Sequence, residues 1–82
     1  MEKRLGFVGI ILHNREKNAP LVNSILTHYG QLILGRMGIP HIEGDVNVIV
    51  LIVRATTDEL GELTGRLGKI EGVSVRSALA KG

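Results

Sequence analysis

Few side chains in this sequence have the type and spacing that chemistry requires, and Arg36 is the most useful of them. It closes the apolar run Gln31-Leu32-Ile33-Leu34-Gly35 and leads into a glycine-rich turn at Met37 and Gly38. A guanidinium is a planar fork of N–H donors that fits a carboxylate or a phosphate. Arg36, Met37 and Gly38 are therefore candidate ligand-binding residues, although Arg36 could equally pair with Glu43, Asp45 or a neighbouring subunit. The stretch from Gly35 to Pro40 is not a phosphate loop, because it lacks the P-loop spacing and lysine. His41, Glu43 and Asp45 alternate around the next turn, and histidine with carboxylates can bind divalent metals. Alternation gathers them on one side only in an extended backbone, and Gly44 argues for a turn and a solvated hairpin instead. His13, at the end of the first apolar run, could join His41 in a metal site formed between subunits; its competing role is a strand-end histidine facing water. Catalysis needs a nucleophile within reach of a base. The serines are Ser24, Ser74 and Ser77 and the histidines His13, His28 and His41, and no pair of them forms a recognisable motif. No enzymatic activity is expected, and the residues name no cofactor.

Short elements must position those side chains. Residues 5–12 are apolar and β-branched, closed by His13-Asn14, and read as a strand. Residues 14–18 read as a loop, with Asn18 or Ala19 capping a helix that holds Pro20 in its first turn. Leu21, Val22, Ile25, Leu26 and Tyr29 share one face of that helix, and Gly30 stands where a left-handed C-cap is wanted. Residues 31–36 form a second strand, which Gly38-Ile39-Pro40 disrupts before the turn at Gly44. Residues 46–53 make the clearest strand in the chain. Thr56-Thr57-Asp58-Glu59 matches a capping box, with Thr56 as N-cap and Glu59 at N3. Leu60, Leu63 and Leu67 are the buried stripe of a second helix ending at Gly68, with Glu62 and Arg66 spaced for an exposed i,i+4 pair. Residues 72–79 form a fourth strand of alternating character. Gly61 and Gly65 each cost a helix about 1 kcal/mol relative to Ala. They are candidate ligand-binding residues on a smooth edge, or else they permit tight packing of the helix on the sheet.

The order strand–helix–strand, turn, strand–helix–strand is that of a single α+β domain over residues 1–82. Right-handed crossovers put both helices on one face of a four-stranded antiparallel sheet, in a ferredoxin-like βαββαβ sandwich. The other face should then alternate to polar in a monomer. It does not: residues 48–53 are apolar on both parities, as are residues 7–12 apart from Gly9. Leaving several such side chains in water is an aggregation liability. A homo-oligomer, dimer or tetramer, is therefore expected, with Val8, Ile10, Val48, Val50 and Ile52 at its interface. Which parity faces the helices stays open at this stage.

Composition narrows the function classes. The 82 residues contain no cysteine, which removes disulfides, thiolate chemistry and Cys-based metal sites. Apolar residues make up 44% with one Phe, one Tyr and no Trp, so the core must be aliphatic. Ten Lys and Arg against eight Asp and Glu leave a net charge of +2 without a basic stripe. Direct nucleic acid binding wants that stripe and stacking aromatics, and is not expected. Residues 5–12 are too few to span a bilayer or to act as a secretory signal. A cytoplasmic protein without membrane contact is the expectation.

Gly35-Arg36-Met37-Gly38-Ile39-Pro40 also carries a resemblance. Together with residues 3–11, Leu63-Thr64-Gly65-Arg66-Leu67-Gly68 and residues 72–78, it resembles the family of candidate regulators of the iron-only hydrogenase system over nearly the whole chain. That family is similar to ACT domains and to the C-terminal sensing domain of the nickel-responsive repressor. The resemblance implies an ACT-like subunit that assembles into dimers or tetramers, senses a small ligand or metal, and regulates transcription or maturation in that system. This chain departs from the nickel repressor in having no cysteine to complete a His/Cys nickel site. No DNA-binding domain is expected ahead of the first strand, so a regulator of this kind is expected to act through a protein partner. The alternative is an assembly module with no small-molecule ligand.

Overall fold

The computed structural model describes residues 2–81. Its elements are β1 (Arg4–Leu12), α1 (Arg15–His28), a 3-10 turn (Gly30–Leu32), β2 (Ile33–Glu43), β3 (Val46–Ala55), α2 (Thr57–Gly68) and β4 (Val73–Leu79). All strand pairs are antiparallel and their spatial order is β2-β3-β1-β4, the ferredoxin-like arrangement expected of the sequence.

The second half forms as its local signals dictate. Thr56 Oγ1 accepts the Glu59 N–H at 3.1 Å, and the Glu59 carboxylate accepts the Thr56 N–H at 2.8 Å, which completes the capping box of α2. Leu60, Leu63 and Leu67 are buried along the helix.

The first half departs from expectation in three places. Helix α1 starts at Arg15, earlier than Asn18 or Ala19, because Asn14 adopts a left-handed conformation (φ 54°) and its carbonyl accepts the N–H of Lys17 and Asn18. Pro20 thus lies inside the helix rather than in its first turn, and without an N–H it cannot make the i→i−4 bond to the Glu16 carbonyl. Gly30 is no left-handed cap: Tyr29 ends the helix at φ −101° and Gly30 opens the 3-10 turn. Strand β2 runs on through Pro40 to Glu43. It is an edge strand with a register irregularity between Ile39 and Glu43, the setting in which a sheet tolerates proline.

The core is aliphatic, as composition requires. Val8, Ile10 and Leu12 of β1 and Ile49, Leu51, Val53 and Ala55 of β3 meet Val22 and Leu26 of α1 and the leucines of α2. The loops at the end of this core are joined by Asn18, whose Nδ2 donates to the carbonyls of His13 (2.8 Å) and Glu71 (2.9 Å).

Candidate functional site

Helix α1 lies over the β2 side of the sheet and presents Arg15, Ala19 and Asn23 at four-residue spacing on one face. Between this face and β2 is a cleft of about 200 Å³, whose far wall holds Arg36, Gly38 and Pro40. Arg36 pairs with Leu51 in register, so it points to the helix side, where its Nη2 donates to Asn23 Oδ1 at 2.6 Å. The alternative pairing with Glu43 or Asp45 does not occur; among the described residues the only ion pair is Lys3–Glu59 at 3.6 Å. Asp45 instead offers its carbonyl to the Arg15 N–H at 3.3 Å. Asn47, 7% exposed, also lines the cleft, with its Oδ1 accepting the His41 N–H at 3.0 Å. Two arginines without a carboxylate partner among the described residues therefore line one cleft that has no Asp or Glu in its wall.

The helix-free face of the sheet is the second candidate surface. Register settles the parity that the sequence left open. Val8 and Ile10, expected at an interface, are fully buried against the helices. Strand β1 gives the open face Leu5, Phe7 and Ile11 instead, each between 44% and 51% exposed. Ile52 (48%), Met37 (63%) and Ile39 (47%) lie beside them, with Val48 and Val50 half-buried in the same stripe. Arg54 and Arg76 are the charged groups of this face on β3 and β4, and neither has an ion-pair partner among the described residues.

The remaining candidates do not converge on either place. Met37 belongs to the open face and not to the Arg36 cleft, since adjacent strand residues point to opposite sides. Gly61 and Gly65 line a groove of about 630 Å³ between α2 and β4. A Cβ added at Gly61, Gly65 or Gly68 meets nothing within 4 Å, so tight helix-on-sheet packing does not explain these glycines. Their neighbours Glu62 and Arg66 do not pair with one another: Tyr29 donates its hydroxyl hydrogen to Glu62 at 3.3 Å, and the Arg66 guanidinium lies 5.6 Å from the Tyr29 ring centroid. His13 is tied to Gly72 through its backbone N–H (2.8 Å), and the His41 ring reaches the Gly44 carbonyl at 3.1 Å. Among the described residues no three metal-ligating side chains gather within the subunit. Nor is any helix long and apolar enough to cross a membrane. Sequence reasoning missed Arg15 and Asn47, which join Arg36 only through the packing of α1 on the sheet.

The sequence profile of the TM1266-like family, described as candidate iron-only hydrogenase system regulators, matches residues 4–77. The chain belongs to this family. The structure of a Thermotoga maritima protein of uncharacterised function, TM1266, superposes with a TM-score of 0.91 at 36% identity, covering 98% of this chain and all of that one. More distant likeness shows the fold alone. The C-terminal domain of the MgtC protein from Mycobacterium tuberculosis matches at a TM-score of 0.74 and 16% identity, over 95% of this chain and 88% of that one. A nitrogen regulatory PII-like protein from Thiomonas intermedia K12, solved with ADP, AMP and bicarbonate, matches at 0.55 and 17%, over 95% and 91%. No curated protein matches the chain. The regulator description of the TM1266-like family is compatible with a protein that carries no catalytic group.

Proposed function

We propose that this chain is a non-catalytic regulatory module that self-associates through the open faces of its sheets and responds to a small ligand near the subunit contact. The observation that carries this reading is the apolar stripe of Leu5, Phe7, Ile11, Met37, Ile39 and Ile52 on the side that neither helix covers. A second copy is the occupant that fits best. The stripe runs unbroken by charge across the centre of the face, so two copies can stack it against itself in an isologous contact, while Arg54 and Arg76 stay hydrated. An 82-residue domain without disulfides also gains stability from such burial. Sedimentation equilibrium tests the reading: a reversible dimer or tetramer at micromolar concentration is expected, and a monomer up to several hundred micromolar would sink it.

A second reading draws on Arg54 and Arg76. With no acidic side chain paired to either, the face also suits a partner protein with an apolar centre and acidic rim, as an assembly module without a small ligand would require. A monomer that co-purifies from its own cells with one acidic protein at fixed stoichiometry would favour it. A metal held between subunits by His13 and His41 is a third form of the same sensor; equilibrium dialysis with nickel, zinc, cobalt and iron tests it directly, and no retained metal ends it.

A further inference from the structure

We infer that the cleft between α1 and β2 binds a small anion carrying a carboxylate or phosphate group and no ammonium group. This deepens the regulatory reading, on which it rests, by giving it a site and a ligand class. Three observations support it. Arg15 and Arg36 come from different elements yet line the same small cleft. Neither has a carboxylate partner among the described residues; Arg36 is held instead by the neutral Asn23 amide, which leaves the rest of its fork free to donate. Asn47 lies more than nine-tenths buried in the cleft wall, its oxygen engaged by the His41 N–H and its amide nitrogen making no hydrogen bond among the described residues.

The same walls define what does not fit. No Asp or Glu lines the cleft, so an amino acid would bring an ammonium group that nothing there accepts. A divalent cation would find two arginines and no carboxylate in the cleft wall. The volume of about 200 Å³ holds a group of a few heavy atoms and leaves anything larger in water. Gly38 contributes to that space: a side chain there would lean on Ile49 Cγ1 at 3.6 Å, an ordinary contact, and would fill the cleft without disturbing the sheet.

Isothermal titration calorimetry at low ionic strength, with inorganic phosphate and malonate as probes and serine as the zwitterionic control, tests the assignment. Saturable binding of one or both anions, with serine inert, is expected, and the tighter anion tells a phosphate-bearing ligand from a carboxylate. Arg36→Ala and Arg15→Gln should each weaken binding roughly tenfold, as loss of a charge-assisted hydrogen bond does. Gly38→Val should abolish it, and Arg76→Gln, on the other face, should leave it unchanged. No saturable binding of either anion up to 10 mM, roughly the weakest affinity worth calling a site, would overturn the proposal. So would serine binding tighter than malonate, or an Arg36→Ala protein that binds as wild type. The titration is repeated on Phe7→Ala, whose substitution lies on the opposite side of the sheet, so failure of self-association and failure of anion binding are read separately.

Discussion

Phe7 gives the sharpest test of the open face. It is 51% exposed, in register with Ile52 on β3 and Ala78 on β4, at the centre of the apolar stripe. Complete burial of a phenylalanine side chain contributes about 1.5–3 kcal/mol, and half of that is already realised within the subunit. Association would bury the other half, worth about 1 kcal/mol per copy, and an isologous contact counts it twice. Phe7→Ala should therefore weaken dimer formation by about 2 kcal/mol, which is roughly 30-fold at 1.4 kcal/mol per decade. The same substitution removes the half buried within the subunit, so the monomer should also lose about 1 kcal/mol of stability. Sedimentation equilibrium gives the first quantity and chemical unfolding, extrapolated to low protein concentration, gives the second. Val8→Ala provides the contrast: it opens a cavity beneath the helices, so it should lower stability without changing the association constant of the folded protein. A Phe7→Ala protein that remains folded and dimerises within threefold of wild type, a change below ~1 kcal/mol, would refute the argument.

The capping box makes a second prediction: Thr56→Ala should cost about 1 kcal/mol and lower the thermal midpoint by roughly 4–8 °C. Glu59 is held below its ordinary value of 4.5, chiefly by the hydrogen bond from the Thr56 backbone, with Lys3 adding to the effect and desolvation opposing it. A depressed folded value means that stability is present above the unfolded value and is lost as pH falls through the folded one; Glu59→Gln should flatten that acid limb in unfolding curves taken below pH ~5. The glycines should divide by surroundings: a Cβ at Gly6 would run into the Ala78 carbonyl and Leu79 Cδ2 (2.7 Å), so Gly6→Ala should destabilise by about 1–3 kcal/mol. Gly61→Ala and Gly65→Ala meet open space and should each stabilise by up to about 1 kcal/mol in urea titrations. Asn18→Ala should cost roughly 1–3 kcal/mol, since it removes both hydrogen bonds to the part-buried carbonyls of His13 and Glu71, and should raise amide exchange first at His13, whose N–H donates to Gly72 at the same junction.

What the sequence made legible follows the range of the forces involved. The box Thr56–Glu59 and the leucine stripe at 60, 63 and 67 are signals within one or two turns, and α2 forms as they require. Asn18 was misread because its residue type favours helix caps, whereas its amide is recruited by a carbonyl 53 residues away. The extension of β2 through Pro40 depended on that strand lying at the edge, a fact of topology and not of local sequence. Parity was illegible for a related reason: residues 48–53 are apolar on both sides, so the pattern could not tell Val50 from Leu51. The Arg15–Arg36 cleft is assembled from α1, β2 and β3 by packing. Arg36 stood out alone because it interrupts an apolar run; Arg15 sits in a polar stretch and carries no such mark.

Strand β2 links the two candidate surfaces. Arg36 faces the cleft and pairs with Leu51, while the next residue, Met37, faces the open side and pairs with Val50. Gly38 returns to the cleft, and Ile39, which pairs with Val48 in the stripe, also borders the cleft. An anion that draws on the free part of the Arg36 fork pulls on a side chain that also makes the 2.6 Å bond to Asn23, a contact between this stretch of β2 and α1. Changing that contact acts on the edge strand that supplies Met37 and Ile39 to the proposed interface, and β2 has register irregularities on both sides of the segment where it could yield. Thermodynamic linkage then makes the relation reciprocal: an anion that tightens association must itself bind more tightly to the associated form, by the same factor. A regulator of this size needs no separate transmission element, because the residues that would hold the ligand and those that would hold the partner alternate along one strand.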